Sequence, residues 1–412
     1  MTSMSLRIFD AAVIGGGAAG MMAAITAARR GRSVALIEHN PFCGKKLRIT
    51  GKGRCNVCNN CDIKTFLKNV PTNGKFLYSA LNRFSPDDTM AYFESLGVPL
   101  KTERGSRVFP VSDNAHDIAR ALEAEMRRAG VFLLHDSAVE ILLENGAVRG
   151  VRCAENTLQC ESALIATGGA SYPLTGSTGD GYRMAKALGH TVTPLLPSLV
   201  PLESDDADCA EMQGFSLKNV TLTLRDGQGK ALYCELGEMM FTHFGITGPL
   251  VLSASAFLRG SAGPWTAEID LKPGLDEKKL DARLLRDFEL YKNRDFANAL
   301  GDLAGRTMIP VLVRRSGIPG ETKVNAVTRE QRQRLLQLFK AFPVSVRGPR
   351  PIAEAIVTSG GVNVKEVDPR TMGSKIVDGL YFAGEVLDLD AFTGGFNLQI
   401  AWSTGHLAGE HI

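Results

Sequence analysis

Charge of one sign is missing from this 412-residue chain: 47 Lys and Arg face 44 Asp and Glu, a net charge of +3. That balance gives no electrostatic footprint for nucleic acid or an anionic membrane, so neither partner is expected. Basic pairs such as Arg29-Arg30 and Arg127-Arg128 read as solvated helix faces. Long apolar runs are also missing. Nothing approaches the roughly 18 residues a membrane helix needs, and Met1 to Asp10 holds no apolar core of a signal peptide. Eight cysteines in so long a chain make no disulfide framework, so reduced thiols and a cytoplasmic setting are expected. The absence of repeats and low-complexity tracts argues against a solenoid or a disordered chain. No Ser/His/Asp or metal constellation stands out among the seven histidines.

What is present is alternation. From Phe9 to about Gly189, short apolar runs alternate with amphipathic segments, as βαβ units require. Ala11–Ile14, Val34–Ile37 and Ala163–Ala166 read as buried parallel strands, and Gly20–Arg30, with Gly31 behind it, as a helix. Pro194, Pro197 and Pro201 break the pattern. Beyond them Val220–Leu224 ends at Asp226-Gly227, a hairpin signal, Leu275–Leu300 is helix-prone, and Arg329–Phe342 follows Thr328 as N-cap. After Pro351, glycine turns, a strand at Gly379–Ala383 and a last helix return. The expected class is α/β: a discontinuous Rossmann-type domain from residues 1–190 and 347–412, with residues 191–346 inserted.

Gly15-Gly-Gly-Ala-Ala-Gly20 contains G-x-G-x-x-G directly after a strand and before a helix, and Glu38 ends the next strand. Gly15 permits the tight turn. Gly17 lets the backbone approach a pyrophosphate, which the first N–H groups of the helix, around Ala18 and Ala19, would hold. Gly20 lets the helix pack on the sheet, and Glu38 can accept both ribose hydroxyls of an adenosine. This fingerprint does not separate NAD from FAD.

The far end of the chain does. Gly379-Leu-Tyr-Phe-Ala-Gly-Glu385 ends a strand in glycine and acid, and Thr393-Gly-Gly-Phe-Asn-Leu-Gln399 opens a helix. In two-part flavin domains such an acid serves the ribityl chain, and the helix N-terminus faces the flavin pyrimidine edge. Ala166-Thr-Gly-Gly169 is the close turn past the cofactor. Gly51, Gly53, Lys45, Lys46 and Arg54 form a basic loop read as covering the pyrophosphate or flavin face. FAD is therefore the expected cofactor. The residues assigned to it are Gly15, Gly17, Ala18, Ala19 and Gly20; Glu38 and His39; Lys46, Gly53, Arg54, Cys55 and Asn56; Val139; Thr167 and Gly168; and Gly384, Glu385, Gly395, Asn397, Leu398 and Gln399.

Here the sequence resembles a known family, the BaiN/YhiN-type bacterial NAD(P)/FAD-dependent oxidoreductases, which include aminoacetone oxidase. The resemblance spans Asp10–Gly409 and is most specific at Gly44-Lys-Lys-Leu-Arg-Ile-Thr-Gly-Lys-Gly-Arg-Cys-Asn56, Phe241-Thr-His-Phe-Gly-Ile-Thr-Gly-Pro249 and Thr371-Met-Gly-Ser-Lys375. It implies a discontinuous FAD domain, an insert of barrel-like β structure and helices, and loosely defined substrates. The chain departs from the pattern at Cys58, where Thr is expected, and at Gly373, where an acid is expected.

Cys43, Cys55, Cys58 and Cys61 invite an iron–sulfur or zinc reading, but Thr65 stands where the ferredoxin run needs its fourth cysteine. No metal is expected. His243, in the Thr242–Gly245 turn, is the acid–base candidate, and Tyr172 a possible contact to ring or substrate. By exclusion, the substrate is expected near the Thr242–Gly245 turn, between the insert and the flavin face. Only one G-x-G-x-x-G follows a strand, so NAD(P)H, if used, would dock transiently, or O₂ would serve as acceptor. The leading expectation is an FAD-dependent oxidoreductase of a small organic substrate, either oxidising an amine or reducing an activated C=C bond. The alternative is a flavoprotein module that binds RNA or a protein partner. Its oligomeric state is not legible. The purified protein should be yellow and release FAD on denaturation. Glu38→Ala should weaken FAD binding about 10- to 150-fold in a titration, the range for hydrogen bonds to a charged group; unchanged affinity would remove Glu38 from the ribose.

Overall fold

The computed structural model describes residues 7–412; Met1–Leu6, part of the segment in which no signal peptide is expected, lie outside them. Two compact units appear: Met1–Ser198 with Ile352–Ile412, and Leu199–Pro351. These junctions lie eight and five residues beyond 190 and 346, the ends read from sequence. The reason is a long-range ladder. Leu196–Ser198 pairs antiparallel with Val357–Ser359, which draws the proline-rich segment into the first unit.

The first unit is built on a sheet whose central strands are buried on both faces. Val34–Glu38 is buried at all five positions and Ala11–Ile14 at all four, so both read as continuous apolar runs without alternation. Arg7–Ile14 lies between Val34–Glu38 and Thr157–Ile165, parallel to both, and Phe132–His135 extends the sheet beyond Val34–Glu38. Thr157–Ile165 carries two partners on its other side. Ala147–Cys153 pairs antiparallel with its first half, and Leu380–Phe382 pairs parallel with Ala163–Ile165. The C-terminal segment thus completes a sheet that the N-terminus began.

Two helices cover this sheet and touch each other through small residues. The first, Ala18–Arg29, is almost wholly Ala, Met and Gly; the last, Phe396–Gly409, is buried along nearly its whole length. A Cβ on Gly405 would lie 2.4 Å from the Ala19 carbonyl oxygen, and one on Gly409 would lie 2.5 Å from that of Ala23. Four residues along one helix match four along the other in the same sense, so the helices run parallel.

The second unit has a separate core and a seven-stranded antiparallel sheet. Its order is Phe342–Val346, Trp265–Asp270, Ser216–Arg225, Ala231–Thr242, Gly245–Thr247, Leu202–Glu203 and Gly348–Pro349. The two outermost strands are separated in sequence only by Arg347. The sheet must therefore curl round, which gives barrel-like closure. Ser216–Arg225 and Ala231–Thr242 form the hairpin expected at Asp226-Gly227. Helix Arg329–Lys340 packs on the sheet and Glu277–Leu290 packs on that helix, and Thr328 and Gln331 form a capping box at the start of Arg329–Lys340.

Gly405→Ala should destabilise the protein. Helix propensity would gain about 1 kcal/mol, but the new methyl meets a backbone oxygen that cannot swing away, at the usual overpacking cost of about 1–3 kcal/mol. We expect a net loss of up to about 2 kcal/mol in urea unfolding. Gly17→Ala, with nothing within 4 Å of its Cβ, should stay within about 0.5 kcal/mol. A Gly405→Ala protein as stable as wild type would mean the two helices stand further apart.

Candidate cofactor site

The turn between the first strand and the first helix is shaped by close backbone approach. Gly15 has φ +104°, and a Cβ there would lie 2.6 Å from the Ala166 carbonyl oxygen. A Cβ on Gly20 would meet the Gly15 carbonyl oxygen at 1.9 Å, whereas Gly17 faces open space. Gly17 is the N-cap of Ala18–Arg29, with no capping side chain and no acid in the first turn. The N–H groups at Ala18, Ala19 and Gly20 are left for an anion. Glu38 is buried beside them. Its Oε2 accepts from Gly16 N at 2.8 Å, and its Oε1 from Asn40 N and Nδ2 at 2.7 and 2.8 Å. A carboxylate offers about four acceptor positions, so Glu38 is oriented with capacity to spare. His39 is partly exposed, its Nδ1 4.0 Å from Glu38 Oε1. Val139, exposed on Ala138–Glu144, follows Asp136, whose N–H donates to the Glu38 carbonyl at 3.2 Å.

A second cluster gathers at the end of Thr157–Ile165. Glu385 Oε1 accepts from Ser171 Oγ at 3.1 Å and Thr358 N at 2.9 Å, and Oε2 from Lys46 Nζ at 2.8 Å. Lys46 also donates to Ser171 Oγ at 2.8 Å. Gly168 takes φ +75°. A Cβ on Gly169 would strike Thr358 Oγ1 at 2.5 Å and Glu385 Oε1 at 2.8 Å. Thr167 Oγ1 is buried with no partner among the described residues, a polar atom that a ligand hydroxyl or phosphate would satisfy. Gly384 lets this segment lie against Ala19, 2.9 Å from a Cβ built on it.

The last helix begins at Gly395, φ +99°, again without a capping side chain or an acid in the first turn. A Cβ there would lie 2.3 Å from the Cys58 carbonyl. With its amide oriented to satisfy both ends, Asn56 accepts from Gly395 N at 3.0 Å and donates to the Val108 and Cys58 carbonyls at 3.2 and 3.1 Å. The basic loop is thereby tied to the helix start. Gly405 sits level with Ala19, so Phe396 begins nine residues earlier, about 12 Å beyond the start of the first helix at 1.5 Å per residue. Two uncapped helix ends are therefore staggered along one side of the sheet, as a long ligand with negative charge in two places requires.

Other assigned residues hold protein rather than open space. Asn397 bonds the backbone of Ala391 and Phe392, and buried Gln399 donates to the Phe84 carbonyl at 3.2 Å and Ser403 Oγ at 2.9 Å. Leu398 packs against the core. Arg54 is paired with Glu103 and Asp113 at 2.5 and 2.6 Å and lies over Phe109, while Gly53 beside it faces open space. Burial pushes the Cys43 and Cys55 thiols up to about 12 and Cys61 to about 11. They are poor nucleophiles at neutral pH. Among the described residues no group of three or more His, Cys, Asp or Glu could hold a metal. Tyr172, φ +51°, is 37% exposed and follows the Ala166–Gly169 turn. His243 belongs to the second unit, exposed in the turn between Ala231–Thr242 and Gly245–Thr247. The sequence reading missed Asn40, Ser171 and Thr358. Thr358 could have been found: Val357-Thr-Ser-Gly-Gly361 resembles Ala166-Thr-Gly-Gly169 with one serine inserted before the glycine pair.

Residues 9–411 match the HI0933-like protein Rossmann domain family. A 3-dehydro-bile acid delta(4,6)-reductase of Clostridium scindens is 30% identical over 404 residues, covering 97% of each chain. A ribosomal RNA dihydrouridine synthase of Escherichia coli K12 is 31% identical over 408 residues, covering 98% of each. With an RNA enzyme among its relatives, the near-neutral charge does not by itself exclude nucleic acid. A flavocytochrome c3 fumarate reductase in its open conformation shares the fold at 18% identity and a TM-score of 0.54, over 98% of this chain and 78% of that one. No helix among the described residues is long and apolar enough to cross a membrane. The chain belongs to the HI0933-like Rossmann family and is a flavoprotein oxidoreductase with the two-part FAD-binding fold.

Proposed function

We propose that the protein is an FAD-dependent reductase that saturates a carbon–carbon double bond conjugated to a carbonyl. The flavin part rests on the two staggered, uncapped helix ends at Gly17 and Gly395, with Glu38 and Glu385 fixed beside them. The reductase part rests on the relatives. A 3-dehydro-bile acid with delta(4,6) unsaturation is a conjugated ketone, and dihydrouridine is uridine saturated at the double bond next to its ring carbonyl. Both names describe one chemistry, two electrons and two protons added across an activated C=C, which favours reduction over amine oxidation.

In this reading FAD supplies two-electron transfer, and the chain binds, orients and protonates. Gly15–Gly20 takes the pyrophosphate and Glu38 the adenosine ribose, with His39 and Val139 near the adenine. Lys46, Thr167, Gly168 and Glu385 take the ribityl segment, and Gly395 the pyrimidine edge. Asn397 and Gln399 act by fixing the Gly394–Phe396 backbone. NAD(P)H is the proposed donor and docks transiently, since one strand-associated G-x-G-x-x-G is present in the sequence. The proton must come from a group that exchanges with water. His243 and Tyr172 both carry such a group at an exposed position.

FAD-loaded protein should oxidise NADH or NADPH in step with saturation of a conjugated enone or of uridine. Amine-dependent O₂ consumption without enone turnover would overturn the reductase reading. His243→Asn should lower turnover about 10²–10⁴-fold with the bound-flavin spectrum intact; wild-type turnover would make Tyr172→Phe the decisive variant.

A further inference from the structure

The Rossmann unit carries a cavity that neither the cofactor nor the reductase reading uses. Its volume is about 380 Å³, and its lining includes Arg30, Ser79, Arg83, Arg370, Glu410 and His411. Three guanidinium groups arrive from three separate segments. Arg30 caps the end of the first helix, Arg83 ends the helix Tyr78–Arg83, and Arg370 lies in the turn before Met372.

Their commitments differ. Arg30 Nη1 donates to the Gly409 and Ile412 carbonyls at 3.1 and 3.3 Å, which anchors it at the end of the last helix. Arg83 Nε donates to both Glu410 oxygens at 2.8 and 2.6 Å. The side chains of Arg370 and Ser79 have no hydrogen bond or ion pair among the described residues. His411 Nδ1 donates to the Leu407 carbonyl at 3.2 Å. Glu410 is the only carboxylate among the described lining residues and is paired with Arg83, so with Arg30 anchored on backbone oxygens the charge left open is that of Arg370. An anchored fork, a paired fork and a free fork around one hollow suit a multi-oxygen anion, because planar guanidinium groups bind phosphate oxygens in pairs.

This place is remote from the dinucleotide turn. Arg30 follows a 12-residue helix whose other end is Gly17, a separation of about 18 Å at 1.5 Å per residue. A phosphate held here is not the FAD pyrophosphate. The geometry points to a second anion site: a phosphate-binding subsite at the C-terminal ends of the first and last helices, for the phosphate ester of a nucleotide or of an RNA strand. It rests on the cavity alone and stands or falls independently of the reductase reading.

The test is calorimetric titration of the FAD-loaded, full-length protein with inorganic phosphate, NADPH and a short single-stranded RNA, in wild type, Arg370→Ala and Arg370→Glu. Arg370 has no side-chain partner to lose, so both variants should melt as wild type does. Inorganic phosphate should bind wild type saturably, about tenfold more weakly to Arg370→Ala, and more weakly still to Arg370→Glu. Whichever of NADPH and RNA loses affinity by a similar factor is the source of the phosphate. For RNA, the slope of log affinity against log salt should also fall by about 0.7. Equal phosphate affinity in all three proteins, or no saturable phosphate binding in wild type, overturns the assignment.

Discussion

The first and last helices meet backbone to backbone, and the cofactor unit depends on that contact. Gly405 and Gly409 come so close to Ala19 and Ala23 that a methyl group would collide with a carbonyl oxygen. Contact at that distance fixes the axial register of the pair, since a slide of one residue would bring larger side chains into the gap. Register in turn sets where each helix begins. Because Phe396–Gly409 starts about 12 Å before Ala18–Arg29, its uncapped end would, in the proposed reading, serve a different part of a long ligand from that served by Gly17. The strand Leu380–Phe382 against Ala163–Ile165 adds the same constraint through the sheet. Neither end of the chain makes the site alone.

Glu385 shows how the intervening chain is drawn in. A carboxylate with limited solvent access must be paired and hydrogen-bonded, or it costs several kcal/mol. Its partners are Lys46, Ser171 and the Thr358 N–H. One comes from the basic loop, one follows the Ala166–Gly169 turn, and one lies just past the insert. The electrostatic need of one side chain thus orders three loops, and the unpartnered Thr167 hydroxyl is held among them.

Local patterns carried the strands, the glycine turns and the capped helix at Arg329, because each is set by residues within a few positions. They did not carry pairing between distant segments. Leu196–Ser198 reads as a proline-broken linker and becomes a strand only because Val357–Ser359 lies beside it. Ser171 and Thr358 are small polar residues with no periodicity of their own. A motif also fixes where a residue sits without fixing where its side chain points. Asn397 and Gln399 lie in the expected motif, yet their amides bind the backbone of the Ala391 and Phe84 segments. Arg54 lies in the basic loop, yet Glu103 and Asp113 already neutralise it.

The second unit solves a different problem, that of inserting about 150 residues into a finished sheet. An inserted sheet with open edges would offer unpaired backbone to the parent strands. Here Phe342–Val346 and Gly348–Pro349 occupy the two ends of the strand order, although one residue separates them. That residue, Arg347, donates its N–H to the Glu203 carbonyl at 2.9 Å, and its guanidinium pairs with Glu203 and Asp205. The curl brings both edges together in one short stretch, and the apolar core inside it is separate from that of the Rossmann unit.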